Sequence, residues 1–199
     1  MYALTFDEQT HTYRLNGQVI PGVTSVLKPL TDYSAVPAPV LQAAADFGKA
    51  VHRACELDDQ MELDEDTMAP ALAPYLSAWR KFCEDHRVEW LEIEHPIYHP
   101  TLRYAGTPDR IGNVKGLMSV VDIKATVELY PSVGPQLAAY ANAYADPRTA
   151  SAMQRIAVQL KGDGSYVAKP YTDPADFPLF CSLLTLRNWC ARHSITPKF

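Results

Sequence analysis

Three residues in the middle of the chain have types and spacing suited to chemistry: Asp109, Asp122 and Lys124. Asp109 stands at the end of one strand-like segment, and 13 positions later Asp122 and Lys124 stand in the next, Val120-Val121-Asp122-Ile123-Lys124. Side chains alternate along a strand. Asp122 and Lys124 therefore face the same way, roughly 6–7 Å apart, with Ile123 turned into the core. Two carboxylates and an ammonium on one sheet edge are costly to hold together without compensation, and a divalent cation held by the acids supplies it. The run from Leu117 to Ile123 is apolar enough for a central strand. An acid and a lysine ending such a strand are hard to explain as solvated surface.

Elements on either side must position this stretch. Upstream, Pro37 and Pro39 introduce a helix over about Val40 to Leu57, where the run Ala43-Ala44-Ala45 allows close packing against a neighbour. Gly48 and His52 share one face of it, and Lys49 follows Gly48. Alone, His52 reads as a hydrogen-bonded structural histidine rather than a ligand. A second helix, about Met68 to His86, has an apolar stripe of Leu72, Tyr75, Leu76, Trp79, Phe82 and Cys83. Val88 to Tyr98 then reads as a strand containing Glu94, either a solvent-facing residue or an auxiliary acid. Leu102 to Asn113 is the next strand and carries Asp109.

Downstream, a helix over about Pro135 to Ala145 presents Gln136 and Tyr140 at i and i+4. Met153–Lys161 and Ser165–Lys169 form a hairpin turning at Gly162-Asp163-Gly164, and a last helix to about His193 buries Phe177, Phe180, Leu183, Leu184, Leu186, Trp189 and Cys190. At the other end, residues 4–20 form a β-hairpin around Asn16-Gly17, a dipeptide that accepts the positive φ of a tight turn. With no repeat or clear linker, the expectation is a single α/β domain spanning residues 1–199, its first 30 residues a flap over a central mixed sheet flanked by helices.

Composition bounds the remainder. The chain has 199 residues, 47% hydrophobic and 21% charged, and no uninterrupted apolar segment long enough to cross a bilayer. The default is a soluble, cytoplasmic protein without a membrane partner. Its four cysteines, Cys55, Cys83, Cys181 and Cys190, form no CxxC pair and read as reduced helix residues. Net charge is −5, yet seven of the acids fall between Glu56 and Asp66, and without that segment 18 basic residues face 16 acidic ones. One acidic loop, facing away from any nucleic acid, explains the sign.

Pro108-Asp109 followed by Asp122-Ile123-Lys124 resembles the signature of the PD-(D/E)XK nuclease superfamily. Gly48-x-x-x-His52 upstream and Gln136-x-x-x-Tyr140 downstream resemble the histidine and QxxxY motifs of its RecB-like branch, in the same order, across residues 47–140. The N-terminal hairpin with Gly22-Val23-Thr24-Ser25-Val26-Leu27 looks similar to the start of small phage-type members. The resemblance implies a restriction-endonuclease-like core and a divalent-metal-dependent deoxyribonuclease. It implies Mg²⁺ or Mn²⁺ held by His52, Asp109, Asp122 and the Ile123 carbonyl, with Lys124 orienting or deprotonating the attacking water. Gln136 and Tyr140 would hold Lys124 and contact the scissile strand, with Arg110 and Lys49 as further DNA contacts.

The branch includes exonucleases that resect duplex ends, so an exonuclease on linear DNA in phage-type recombination or repair is the first expectation. A structure-specific or nicking endonuclease comes next, and an inactive DNA-binding protein on the same fold after it. The chain lacks a GxxxxGK[ST] loop, so processivity would come from a homo-oligomer or a partner such as a single-strand annealing or recombination protein. Relatives with an iron–sulfur cluster carry one cysteine before the histidine motif and three near the C-terminus. Here Cys55 and Cys83 both follow His52, so no cluster is expected.

Overall fold

The computed structural model describes residues 3–196. It begins with an antiparallel three-stranded sheet, β1 (Leu4–Asp7), β2 (Thr12–Leu15) and β3 (Gln18–Ile20). Asn16 and Gly17 have φ of 52° and 79°, as a two-residue primed turn requires. The expected hairpin is β2–β3, and β1 adds a strand that the sequence pattern did not separate. A short helix α1 (Val23–Leu27) buries Val23, Val26 and Leu27. The long helix α2 (Ala38–Asp59) and helix α3 (Ala73–His86) follow.

The main sheet contains β4 (Glu89–Ile93), β7 (Arg110–Val114), β8 (Leu117–Lys124), β9 (Gln154–Leu160) and β10 (Tyr166–Pro170), in the order β10-β9-β8-β7-β4. Strand β8 is central, as its apolar run implies. It pairs antiparallel with β7 and parallel with β9. The connection from β8 to β9 is made by α4 (Val133–Tyr144) and a short α5 (Pro147–Ala152), capped by Asp146. Two-residue strands β5 (Ile97–Tyr98) and β6 (Ala105–Gly106) form a separate ribbon, and α6 (Asp176–Arg192) is the last helix. The architecture is thus a mixed α/β sheet flanked by helices, with the N-terminal strands added.

Alternation along β8 divides two cores. Val120 packs with Leu137, Tyr140 and Phe180 of α4 and α6. Val121 and Ile123 face the other way, toward Val51, Cys55, Trp79 and Phe82 of α2 and α3. Asp122 and Lys124 consequently lie on the α4 side of the strand.

Several sequence expectations need correction. The strand expected over residues 88–98 breaks at Glu94, which adopts φ 48° and donates its N–H to the Asp109 carbonyl at 3.1 Å. The strand expected over residues 102–113 is likewise two pieces, with Asp109 in the break before β7. Ala43, Ala44 and Ala45 are exposed rather than packed, Ala44 and Ala45 because they line the open groove. In α6, Phe180, Leu184 and Cys190 face inward, whereas Leu186 and Trp189 are 40% and 46% exposed. Trp189 is nine residues, about two and a half turns, from Phe180 and so points the opposite way. The acids from Glu56 to Asp59 belong to the end of α2 rather than to a loop. Asp58 pairs with Arg80, and Asp59 accepts from the Trp79 indole at 3.1 Å.

Candidate metal centre

The centre lies at the end of β7 and β8, where α2 and α4 flank the sheet. The antiparallel register sets Arg110 opposite Val121, which brings the residue before β7, Asp109, level with the end of β8. The contact is direct: Ile123 N–H donates to Asp109 Oδ2 at 2.6 Å. From α2, His52 Nδ1 comes within 3.4 Å of Asp109 Oδ1 and 4.0 Å of Glu94 Oε1. The left-handed turn at Glu94 ends β4 and brings that carboxylate to the centre, so this acid is not a solvent-facing strand residue.

His52, Glu94 and Asp109 offer ligand atoms that all lie within 4.8 Å of one another and could hold a metal ion. One imidazole nitrogen with hard carboxylate oxygens suits Mn²⁺ or Mg²⁺. Asp122 is not part of that set. It is buried, its Oδ1 accepts from Gln136 Nε2 at 3.1 Å, and its Oδ2 lies 2.7 Å from Lys124 Nζ. That contact is an ion pair without hydrogen-bond alignment, so Oδ2 is a buried carboxylate oxygen that no directional donor meets. A buried carboxylate oxygen that meets only the Lys124 ammonium, beside the His/Glu/Asp set, could turn to an incoming cation.

Burial and charge shift these groups apart. Burial alone would raise the Asp109 pKa, but the imidazole of His52, the ammonium of Lys124 and the Ile123 N–H outweigh it and bring it to about 2. For Glu94, burial dominates and Asp109 adds to it, pushing the carboxyl up to about 8. Burial also raises Asp122 despite Lys124. Burial would lower His52 and Lys124, yet the aspartates hold both above their ordinary values. The carboxylates beside Lys124 thus favour its ammonium form.

Two residues expected to act on Lys124 do otherwise. Gln136 reaches Asp122, and it also donates to the Tyr140 hydroxyl at 3.3 Å. Tyr140 is only 4% exposed and joins the centre through Gln136. Arg110, expected to contact DNA, is completely buried. Its guanidinium donates to Asp59 at 2.7 Å, to the Asp109 carbonyl at 2.6 Å and to Glu94 at 3.4 Å. It also lies over the Trp79 ring at 5.5 Å. It is an internal clamp, closed to a strand outside. Lys49 is exposed and lines the groove leading to the centre.

That groove measures about 1070 Å³ and runs between the N-terminal strands, the first half of α2 and the segment after β8. Tyr13 on β2 ties one wall to the core through its hydroxyl, 2.9 Å from Thr107 Oγ1. Sequence reasoning missed Tyr13 and Tyr33 as lining residues, because neither has a periodic relation to the motif residues. Among the described residues, no helix is long and apolar enough to cross a membrane.

No protein-family model and no curated protein matches the chain. Among solved structures it is similar to that of LHK-Exo in complex with dAMP, at 13% identity and a TM-score of 0.49, over 87% of this chain and 89% of that one. A likeness at that level adds nothing to the chemistry, and the functional reading rests on the residues of the centre.

Proposed function

We propose that this chain is a metal-dependent deoxyribonuclease of the PD-(D/E)XK type, acting as an exonuclease on linear DNA. The observation that carries the reading is the Lys124–Asp122 ion pair, at 2.7 Å, at the end of a central strand beside the His52, Glu94 and Asp109 set. An ammonium, the buried carboxylate it faces and a three-residue ligand set lining one groove are the parts that phosphodiester hydrolysis needs.

His52, Asp109 and Glu94 would hold Mg²⁺ or Mn²⁺, with Asp122 and the Ile123 carbonyl as further oxygens. When bound, the cation supplies Lewis acidity toward the phosphate and lowers the pKa of water. Lys124 orients the attacking water and offsets charge on a non-bridging oxygen. Gln136 fixes the Asp122 carboxylate, so that Lys124 and Asp122 keep their relation as substrate arrives. Arg110 holds the Asp109 carbonyl and the Glu94 carboxylate from behind. Lys49, on the groove wall, meets the phosphate backbone as an exposed cation.

End-labelled linear duplex and closed circular duplex, incubated with Mg²⁺, Mn²⁺ or EDTA, test the reading. Cleavage of the linear form alone, lost in EDTA, is the expected result. Cutting of the circle at a comparable rate would replace exonuclease with endonuclease, and no cleavage with either metal would refute both.

A further inference from the structure

Beside Lys124, a recess of about 330 Å³ opens next to the groove. Its size is at the small end for ligand pockets, about 300–1,000 Å³. Lys124 and Gln136 line it, whereas His52, Glu94 and Asp109 do not. Two exposed rings, Tyr33 and Tyr130, stand in its wall, and Leu27 and Val133 are its buried apolar members. Hydroxyls of Thr24, Thr126 and Ser132 add polar edges.

The recess is badly equipped for a phosphate. Among the described residues Lys124 is its one cation, the group the nuclease reading gives to the scissile phosphate, and Glu128 contributes an anion. A helix N-terminus ordinarily offers unpaired N–H groups to an anion, and the first turn of α4 borders this recess. Yet Val133 N–H donates to the Tyr130 carbonyl at 3.2 Å, Gly134 to Pro131 at 3.1 Å and Gln136 to Ser132 at 3.3 Å. The remaining position, Pro135, has no N–H. Aromatic walls, hydroxyl edges, a single cation and a helical turn whose amides are taken suit a flat, neutral group with polar edges. A nucleobase with its sugar is such a group, and every base offers a π face to a tyrosine.

Building on the nuclease reading above, we propose that this recess receives the terminal nucleoside of the strand, without a terminal phosphate, when the scissile phosphate lies at Lys124. The enzyme then acts on hydroxyl ends and discriminates against phosphorylated ones. Glu128 is the residue that sets the preference, and Tyr33 and Tyr130 carry the base.

The test titrates the full chain, in EDTA so that nothing is cut, into single strands carrying 2-aminopurine as the last nucleotide. Strands labelled at either end, finished with a hydroxyl or a phosphate, are compared, and metal-dependent cleavage of linear duplex is measured in parallel. Quenching of the label at one hydroxyl end supports the proposal, with affinity at least about tenfold weaker for the phosphorylated end. So do loss of quenching in Tyr33→Ala and Tyr130→Ala, and a narrowed preference in Glu128→Lys, a surface change that leaves the core intact. Absence of quenching at both ends, or equal or tighter binding of the phosphorylated strand, overturns it. Cleavage without quenching defeats the recess alone. Quenching without cleavage defeats the nuclease reading and leaves the recess as a terminal-nucleoside site.

Discussion

Ile123 and Asp109 are stitched together across β7 and β8: the main-chain N–H between Asp122 and Lys124 donates to Asp109 Oδ2 at 2.6 Å. The other oxygen of that carboxylate faces His52 at 3.4 Å. One side chain thus fixes the spacing between the strand that bears Lys124 and the helix that bears the histidine. Replacing Asp109 by Ala should abolish metal-dependent cleavage and remove measurable Mn²⁺ binding by calorimetry. The protein should still bind DNA in a gel-shift assay. Wild-type metal affinity in this variant would count against the centre as drawn.

Lys124→Ala should bind linear DNA and fail to cut it. The ammonium neutralises Asp122, whose carboxylate is 1% exposed. Its loss leaves Gln136 as the neighbour holding that acid, so Mn²⁺ should bind at least as tightly as in the wild type. Cleavage at near wild-type rate would rule out a role for the ammonium in the reaction.

Arg110→Ala should cost about 3–5 kcal/mol in urea unfolding, the scale for removing one partner of a buried ion pair. It strands Asp59, whose pKa burial already raises, and it frees the Asp109 carbonyl. Arg110→Lys should recover little, because a single ammonium cannot span Asp59, Glu94 and the Asp109 carbonyl together. Full stability in either variant would show that the clamp is dispensable.

Stability of the metal-free protein should fall as pH rises from about 5 to 8. Glu94 titrates near 8 in the folded chain against an ordinary 4.5. Between those values the folded state keeps a proton that the unfolded state releases, so raising pH favours unfolding. The raised pKa of His52 acts in the same direction. Urea midpoints in EDTA at pH 5 and pH 8 should differ, and Glu94→Gln should flatten the difference. An unchanged slope in that variant would remove Glu94 as its source.

Gly112→Ala should destabilise the fold by about 1–3 kcal/mol. A Cβ at this position of β7 would strike the Glu89 carbonyl and approach Trp90 Cα to 2.8 Å, both rigid backbone of β4. The register of β4 against β7 also shifts here, between Trp90 and Glu92. Thermal unfolding with and without metal would separate this loss from any change at the centre.

Local pattern made much of this legible. The alternation that aims Asp122 and Lys124 one way and Ile123 the other is intrinsic to a strand, and Asn16-Gly17 specifies its own turn. Gln136 and Tyr140 meet because i and i+4 share a helix face. What escaped was tertiary. Arg110 looks like any cation beside a motif acid, and its burial follows only once Asp59 and Trp79 arrive from α2 and α3. The alanines of α2 are suited to packing, but they stay exposed, and Ala44 and Ala45 line the groove instead. Glu94 is aimed by a left-handed backbone residue, which carries no mark when the residue is not glycine.

The centre draws His52 from α2 and Gln136 from α4, 84 positions apart (52 to 136). At about 5–20 residues per second, the histidine leaves the ribosome roughly 4–17 s before the glutamine. Strand β8 meanwhile waits for its parallel neighbour β9, which ends at Leu160. A growing chain therefore stays chemically silent after its histidine and glutamine are both made, until a strand that supplies neither of them has come out to brace β8.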